Sequence, residues 1–421
     1  MKKTLCIIFI FLNLYSFSQD KVKLMFYNLL NFNNYTSYCT EENNSHVTKA
    51  GYLKTIVNNQ KPDLLAVCEV GANPSAAYTL NYILGNSLNV GGETKWAVTN
   101  TTGSYLVNGL FYDKNKFEYV GHELVSTIIR DINIFKLKYI EHGENILINV
   151  VVLHLKAGSS VSDANQRGEM IDDLMSKINN LGSNQNFVVV GDFNVYRSSE
   201  PAFQKLINPN NIQYAFYDPV NQIGDWNNNY SFREYHTQST HTVNNGCHSH
   251  GGMDDRFDFI LISGSIKEGS ANIKYKTDSY WAVGQDGLRF DQDLLNPVNR
   301  SLPDEVINAL YEMSDHLPVV AEFYMGEHNS SISISTDPQF YANVVNPIEN
   351  DLVFKLQTIY EAKEIDMKLL NISGSLVYEA KILTQAEQIY SFDLSGFSKG
   401  VYILNFSGKG INQSVKLVKT K

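Results

Sequence analysis

One alternation limits the fold more than any other feature: it fills residues 22–325 and then stops. Apolar extended runs begin at Val22 (VKLMFYNLL), Asp63 (DLLAVCEV), Leu106 (LVNGLFYD), Ile146 (ILINVVVLHL), Phe187 (FVVVGDF), Asp255 (DRFDFILIS) and Pro318 (PVVAEFYM). Each has the length and content of a strand. Between them stand stretches with helical spacing. Lys49–Asn59 carries Ala50, Leu53 and Val57 on one stripe, and Asp163–Leu181 carries Met170, Leu174 and Ile178 with Ile171 and Met175 beside them. PDEVINALYEM, from Pro303, opens with proline and two acids, as helices do. Strands interleaved with helices specify an α/β domain.

From residue 326 the texture changes. A polar, serine-rich linker over residues 326–337 leads to short alternating runs with frequent turn signals over residues 338–421, a small all-β sandwich domain. At the other end, Lys2 and Lys3 precede a short apolar run that closes on Ser16 and Ser18. That is the build of a secretory signal peptide over residues 1–18, and no other segment approaches a membrane span. Residues 20–325 are then the main domain.

Charge narrows the function classes. The chain carries −10, and losing two lysines with the leader makes it −12. From His328 onward lysines and acids balance at nine each, so the excess belongs to the main domain. So acidic a protein is not drawn to nucleic acid by long-range attraction, although an enzyme holding phosphate through a cation remains compatible with it. Cys6 leaves with the leader. Cys68 lies in an apolar run and reads as a buried thiol, while Cys39 and Cys247 lie in polar stretches where export permits them to pair or to stay apart.

The run FVVVGDFNVYR breaks at Gly191. Three valines ask for a covered, pleated surface, yet Asp192 and Asn194 follow. Residues two apart on a strand share a face. An extended course past the glycine therefore puts carboxylate and amide on one side, near a strand end where open α/β sheets hold ligands. Alone, the stretch is better read as a strand running into an Asx turn. Other runs repeat the pattern. MFYN ends at Asn28, LLAVCE at Glu69 and INVVVLH at His154; Asp258 sits between apolar neighbours, and Asp315 and His316 stand just before a strand. A single such residue is ordinarily a cap or a satisfied buried group. Several in one domain would each cost free energy if buried alone, so the economical arrangement gathers them in one pocket.

The set combines carboxylates, amides and two imidazoles. No cysteine cluster or close histidine pair marks zinc; oxygen ligands of this kind suit Mg²⁺, Mn²⁺ or Ca²⁺. Histidines and amides then hold phosphoryl oxygens while an aspartate polarises a water for in-line attack. The chemistry expected is metal-assisted phosphoester hydrolysis.

In this order, Asn28, CEV at Cys68–Val70, HLK at His154–Lys156, GDFN at Gly191–Asn194, RFDFIL at Arg256–Leu261 and SDHLPV at Ser314–Val319 resemble the motifs of the endonuclease/exonuclease/phosphatase superfamily. The resemblance implies a four-layer sandwich of two facing mixed β-sheets flanked by helices. It implies that Glu69 is the principal metal ligand, with Asn28 and Asp315 nearby. Asp192 would orient or deprotonate the attacking water, Asn194 position phosphate or water, His316 contact the scissile phosphate and Asp258 orient that imidazole. His154 resembles the second histidine of the deoxyribonuclease and sphingomyelinase branches, which either protonates the leaving group or binds phosphate; no carboxylate partner for it stands out. The tail segments NPIENDLVFKL, LLNISGSLVYE and FDLSGFSKGVYILNF resemble the C-terminal sorting domains of Bacteroidetes type IX secretion. That implies the secretion machinery as a partner and a secreted or cell-surface location. A carbohydrate- or surface-binding sandwich is the alternative for the tail.

The protein expected is a secreted divalent-metal-dependent phosphodiesterase, foremost an endonuclease with DNA or RNA as substrate. A sphingomyelinase or other phospholipase C is the alternative enzyme; it would expose an apolar hairpin for membrane docking, and Trp226 and Trp281 supply no such pair. A non-catalytic surface-binding protein is the third reading, and it would not need Asp192, Asp258 and His316 together. Around the motifs, Arg256 is expected to bridge Asp254 or Asp255, and Lys156 and Arg167 to be solvated. His241, His248 and His250 are expected to lie incidentally in a loop. The stretch from Tyr217 to Gly252 is long for a plain connection.

Overall fold

The computed structural model describes residues 20–99, 106–182, 185–326, 340–344, 348–358, 363–372, 374–384, 388–408 and 411–420. The expected leader, residues 1–18, and nearly all of the expected linker lie outside the described residues. The chain divides into two compact units, Met1–His328 and Asn329–Lys421.

The strands of the first unit, in chain order, are β1 (Asp20–Phe32), β2 (Leu64–Gly71), β3 (Trp96–Val98), β4 (Leu106–Asp113), β5 (Phe117–Val125), β6 (Ile132–Tyr139), β7 (Ile146–His154), β8 (Phe187–Asp192), β9 (Phe216–Tyr217), β10 (Asp258–Ser263), β11 (Ile273–Tyr275), β12 (Trp281–Ala282) and β13 (Val319–Met325). The helices are α1 (His46–Gln60), α2 (Ala76–Ile83), α3 (Val161–Leu181), α4 (Pro201–Ile207), α5 (Gly264–Glu268) and α6 (Asp304–Met313). All seven strands and all three helices read from the sequence are present. β5 and β6 were not legible. β5 has exposed Glu118 and Glu123 and a ladder irregularity at Gly121, so its apolar alternation is broken.

One sheet runs β11–β13–β1–β2–β4–β3, with β12 also paired to β13; the other runs β5–β6–β7–β8–β10–β9. Both are mixed. β1 is parallel to β2 and antiparallel to β13, and β8 is parallel to β7 and antiparallel to β10. Strand alternation then builds the layers. Leu24, Phe26 and Ala66 of one sheet share an interior with Val150, Val190 and Ile260 of the other. The odd-numbered Met25, Leu65 and Val67 pack outward on Leu53, Leu80 and Leu310 of α1, α2 and α6. Likewise Val151, Val189 and Leu261 pack on Met170, Leu174 and Phe203 of α3 and α4. The result is the four-layer helix–sheet–sheet–helix sandwich.

Gly191 answers the question raised by its own run. A Cβ there would stand 2.2 Å from the Leu153 carbonyl oxygen of β7. Glycine lets the two parallel strands keep their ladder just before Asp192.

The second unit is all-β: β14 (Phe340–Val344), β15 (Asp351–Thr358), β16 (Glu364–Asn371), β17 (Leu376–Leu383), β18 (Ile389–Asp393), β19 (Gly400–Gly408) and β20 (Ile411–Lys419). A sheet β14–β15–β18 and a sheet β17–β16–β19–β20 share a core that includes Leu352, Phe354, Met367, Leu369, Leu404 and Phe406.

Candidate active site

Three neighbouring strands set their residues abreast. His154 of β7 pairs across the ladder with Asp192 of β8, which pairs with Asp258 of β10. Val152, Val190 and Ile260, two positions away, lie in the inter-sheet interior. The same face of each strand therefore ends in a polar residue, and the apolar interior ends in a polar row.

The opposite sheet supplies the other wall. Asn28 follows Phe26 on the inner face of β1. Its Nδ2 donates to Glu69 Oε1 at 3.0 Å and to Asp192 Oδ2 at 3.1 Å, joining the sheets. It is not an end cap, since β1 continues to Phe32. Glu69 departs from strand geometry, with φ +57° where the β2–β4 ladder slips between Val67 and Val70. Such a backbone costs roughly 1–3 kcal/mol for a non-glycine residue. It directs the carboxylate to Asn28 and to the Asn31 backbone N–H, which donates to Oε2 at 2.9 Å. Cys68, one residue earlier, is the buried free thiol the sequence indicated.

His316 closes the pocket. Its Nδ1 donates to Asp258 Oδ2 at 2.7 Å, and its Nε2 stands 3.7 Å from Asp192 Oδ2. His154 Nε2 approaches the same Asp192 oxygen at 3.5 Å and Glu69 Oε1 at 3.7 Å. Asp192 thus lies between two imidazoles. Asn194, with φ +50°, donates its N–H to Asp192 Oδ1 at 3.0 Å and its side chain to Leu155 O at 3.3 Å. The strand stops at Asp192 and an Asx-type turn follows it, so Asn194 reaches the site by the turn and not by pleat. Asp315 accepts from Ser249 N at 2.8 Å and Gln238 Nε2 at 3.2 Å. Asn28, Glu69, His154, Asp192, Asp258 and His316 meet through these contacts, Asn194 joins them through its N–H, and Asp315 is linked through Gln238, which touches His316 Nε2.

Their electrostatics differ sharply. Burial, with Arg130 and His316 adding to it, drops His154 well below the usual imidazole value. Burial also opposes charge on His316, but the Asp258 and Asp192 carboxylates outweigh it and raise His316 well above that value. Asp192 is pushed up to about 7 by burial, although His316 pulls it down.

Donor chemistry fits a hard divalent cation. Glu69, His154 and Asp192 each bring one ligand atom within 4.8 Å of the others. Asp315, outside that group, has a buried Oδ1 with no hydrogen-bond partner, a state that is costly unless something positive meets it.

Around the site, Arg256 and Arg167 depart from expectation. Arg256 pairs with Asp218, not with Asp254 or Asp255, at 2.9 Å to both oxygens, and is ringed by Trp226, Tyr235, Phe259 and Tyr280. Arg167 is buried rather than solvated. It binds Glu200 and the carbonyls of Lys156 and Gly158, bracing the segment after His154. Lys156 pairs with Asp163. Trp226 is buried. Cys39 and Cys247 form a disulfide. His241 and His248 are buried and stacked at 3.7 Å, and His250 is exposed. His154 Nδ1 is buried with no partner, so no carboxylate stands behind that ring among the described residues.

Sequence reasoning missed Thr237, Gln238 and Ser249. Thr237 Oγ1 donates to Asp258 Oδ2 at 2.6 Å. All three lie in the long Tyr217–Gly252 stretch, whose length was the signal.

Residues 25–316 match the Endonuclease/Exonuclease/phosphatase family. The chain belongs to that family. Its members are phosphoesterases that generally depend on a divalent metal. Residues 346–420 match the secretion system C-terminal sorting domain, which marks the chain for export by type IX secretion. No curated protein matches the chain. Similar solved structures include an endonuclease/exonuclease/phosphatase family protein from Bacteroides thetaiotaomicron, 13% identical with TM-score 0.46, covering 74% of this chain and 100% of that one. The mannosyl-6-phosphatase Bt3783 of the same organism is 14% identical with TM-score 0.45, covering 72% and 100%. The human Nocturnin catalytic domain with bound sulfate is 17% identical with TM-score 0.43, covering 73% and 97%. No helix among the described residues is long and apolar enough to cross a membrane.

Proposed function

We propose that this protein is an exported phosphodiesterase that hydrolyses nucleic-acid phosphodiester bonds by in-line attack of water. The observation that carries the reading is the placement of Asp192 between the Nε2 atoms of His154 and His316, with Asp258 behind His316. Asp192 holds and takes a proton from the attacking water. His316, oriented by Asp258, stabilises the phosphoryl oxygens, and His154 faces them from the other side. Asn194 fixes the Asp192 carboxylate through its N–H. Glu69, Asn28 and Asp315 would hold a divalent cation, with Asp192 and His154 within ligand distance of Glu69. Mg²⁺, Mn²⁺ or Ca²⁺ bound there supplies charge neutralisation for the phosphoryl group.

One observation favours a second reading. Ile128 and Ile129, 55% and 37% exposed, lie between β5 and β6 beside Arg130, whose guanidinium donates to Leu155 O next to His154. An apolar tip at the rim of the site suits a lipid-borne diester such as sphingomyelin. Side-by-side assay of the purified protein on plasmid DNA, RNA, sphingomyelin and an inositol phosphate separates the readings. Cleavage of DNA or RNA alone supports the first. Activity only on sphingomyelin replaces it, and inactivity on all four with divalent metal present returns the protein to surface binding.

A further inference from the structure

Beside Thr237, which holds Asp258, the long segment between β9 and β10 touches the site at a second side chain that the motifs do not include. Gln238 Nε2 lies 2.7 Å from His316 Nε2 and 3.2 Å from Asp315 Oδ2. The first of these is the ring atom that also faces Asp192 at 3.7 Å. Gln238 is half-buried, unlike His316, Asp315 and Asp192, which are buried. It therefore stands on the solvent side of the pocket.

Its backbone is held on two sides. Gln238 bridges to Asp255 and to His316, and its carbonyl accepts the N–H groups of Asp254 and Asp255. A side chain on so constrained a backbone loses little freedom when it binds a ligand. An amide can donate to a neutral imidazole or, turned over, accept from a protonated one. Its two N–H groups are also uncharged donors of the kind that hold phosphoryl oxygens. Anything seated at His316 Nε2 meets the Gln238 amide.

We infer that Gln238 is a substrate-binding residue that donates to a non-bridging oxygen of the phosphodiester held at His316. This rests on the phosphodiesterase reading above. In the free protein the amide rests against His316 and Asp315; with substrate bound it turns one N–H to the phosphoryl oxygen.

Gln238→Ala and Gln238→Glu are to be compared with wild type on plasmid DNA and on bis(p-nitrophenyl) phosphate, with thermal unfolding as a fold control. Losing a hydrogen bond to a charged group costs about 10–100-fold, and the loss should appear in KM for Gln238→Ala. Gln238→Glu should be worse than alanine, because it sets a carboxylate against the phosphate. If the amide only positions His316, glutamate still accepts from the ring and restores activity above alanine, with KM unchanged in both; that result overturns the inference. Wild-type KM in a normally folded Gln238→Ala protein also overturns it. Absence of wild-type hydrolysis would count against the phosphodiesterase reading itself, which keeps the two failures apart.

Discussion

Asp192 and Asp258 stand directly opposite each other in the β8–β10 ladder, and His316 spans them, with Nδ1 at 2.7 Å from Asp258 and Nε2 at 3.7 Å from Asp192. Two buried carboxylates on adjacent strands would repel. The imidazole between them relieves this and divides their tasks. Asp258 is held by Thr237 and His316, while Asp192 keeps one oxygen turned to the pocket. His316→Ala should therefore lower turnover by about 10²–10⁴-fold, the scale of general acid–base contributions. Asp258→Asn should lose activity too, because the amide cannot hold the charged ring. Steady-state kinetics with circular dichroism as a fold control checks both; wild-type turnover from His316→Ala would remove that residue from the site.

Exhaustive EDTA should abolish hydrolysis, and Mg²⁺ or Mn²⁺ should restore it. Glu69→Gln should raise the metal concentration needed for half-maximal activity, since it removes a charged oxygen donor from the Glu69, His154 and Asp192 group. Titration calorimetry of the metal alone gives an independent readout. Metal affinity unchanged in Glu69→Gln would take that residue out of the cation site.

The Cys39–Cys247 disulfide joins positions 208 residues apart. Cross-links of this kind contribute about 2–4 kcal/mol, chiefly through the unfolded chain. Replacing both cysteines by serine should lower the urea midpoint accordingly, and reductant should lower that of the native protein but not of the variant.

His236 is buried, its Nε2 bonds to Trp226 O at 2.9 Å, and burial pushes it down to about 4, with the Arg256 charge adding to the effect. The unfolded chain binds a proton at this residue below about 6.5, which the folded chain refuses until about 4. Stability must therefore fall as pH drops through that window, by up to about 3 kcal/mol. His236→Gln removes this contribution. Urea unfolding at pH 7 and pH 4.5 should show a smaller acid loss in the variant; equal losses would place the acid sensitivity elsewhere.

Deleting residues 329–421 should leave hydrolysis in vitro intact, because those residues form their own compact unit with their own core. In a type IX-secreting host the truncated protein should be retained within the cell. Export without the tail would contradict its sorting role.

The sandwich was largely legible because its strands carry period-two apolar faces that end in polar residues. Val190 followed by Asp192 is the pattern at its clearest. Glu69 was visible as a polar strand end, but its left-handed backbone was not, since a slipped ladder depends on the neighbouring strands. Arg256 was assigned to the wrong acid because sequence proximity favoured Asp254 and Asp255. Asp218, 38 residues away, reaches it only after the intervening segment folds back. Gln238 and Thr237 were invisible for the same reason. Loop residues have no periodicity, and their contacts are decided by the return path of the chain.

The row His154, Asp192 and Asp258 has a consequence for how such a protein can diversify. A slip of one residue in β8 would turn Asp192 away from its partners, so the chemistry is locked to the backbone ladder. Gln238 and the Ile128–Ile129 tip hang from connecting segments instead. Those connections can therefore be rewritten while His154, Asp192 and Asp258 stay in rank.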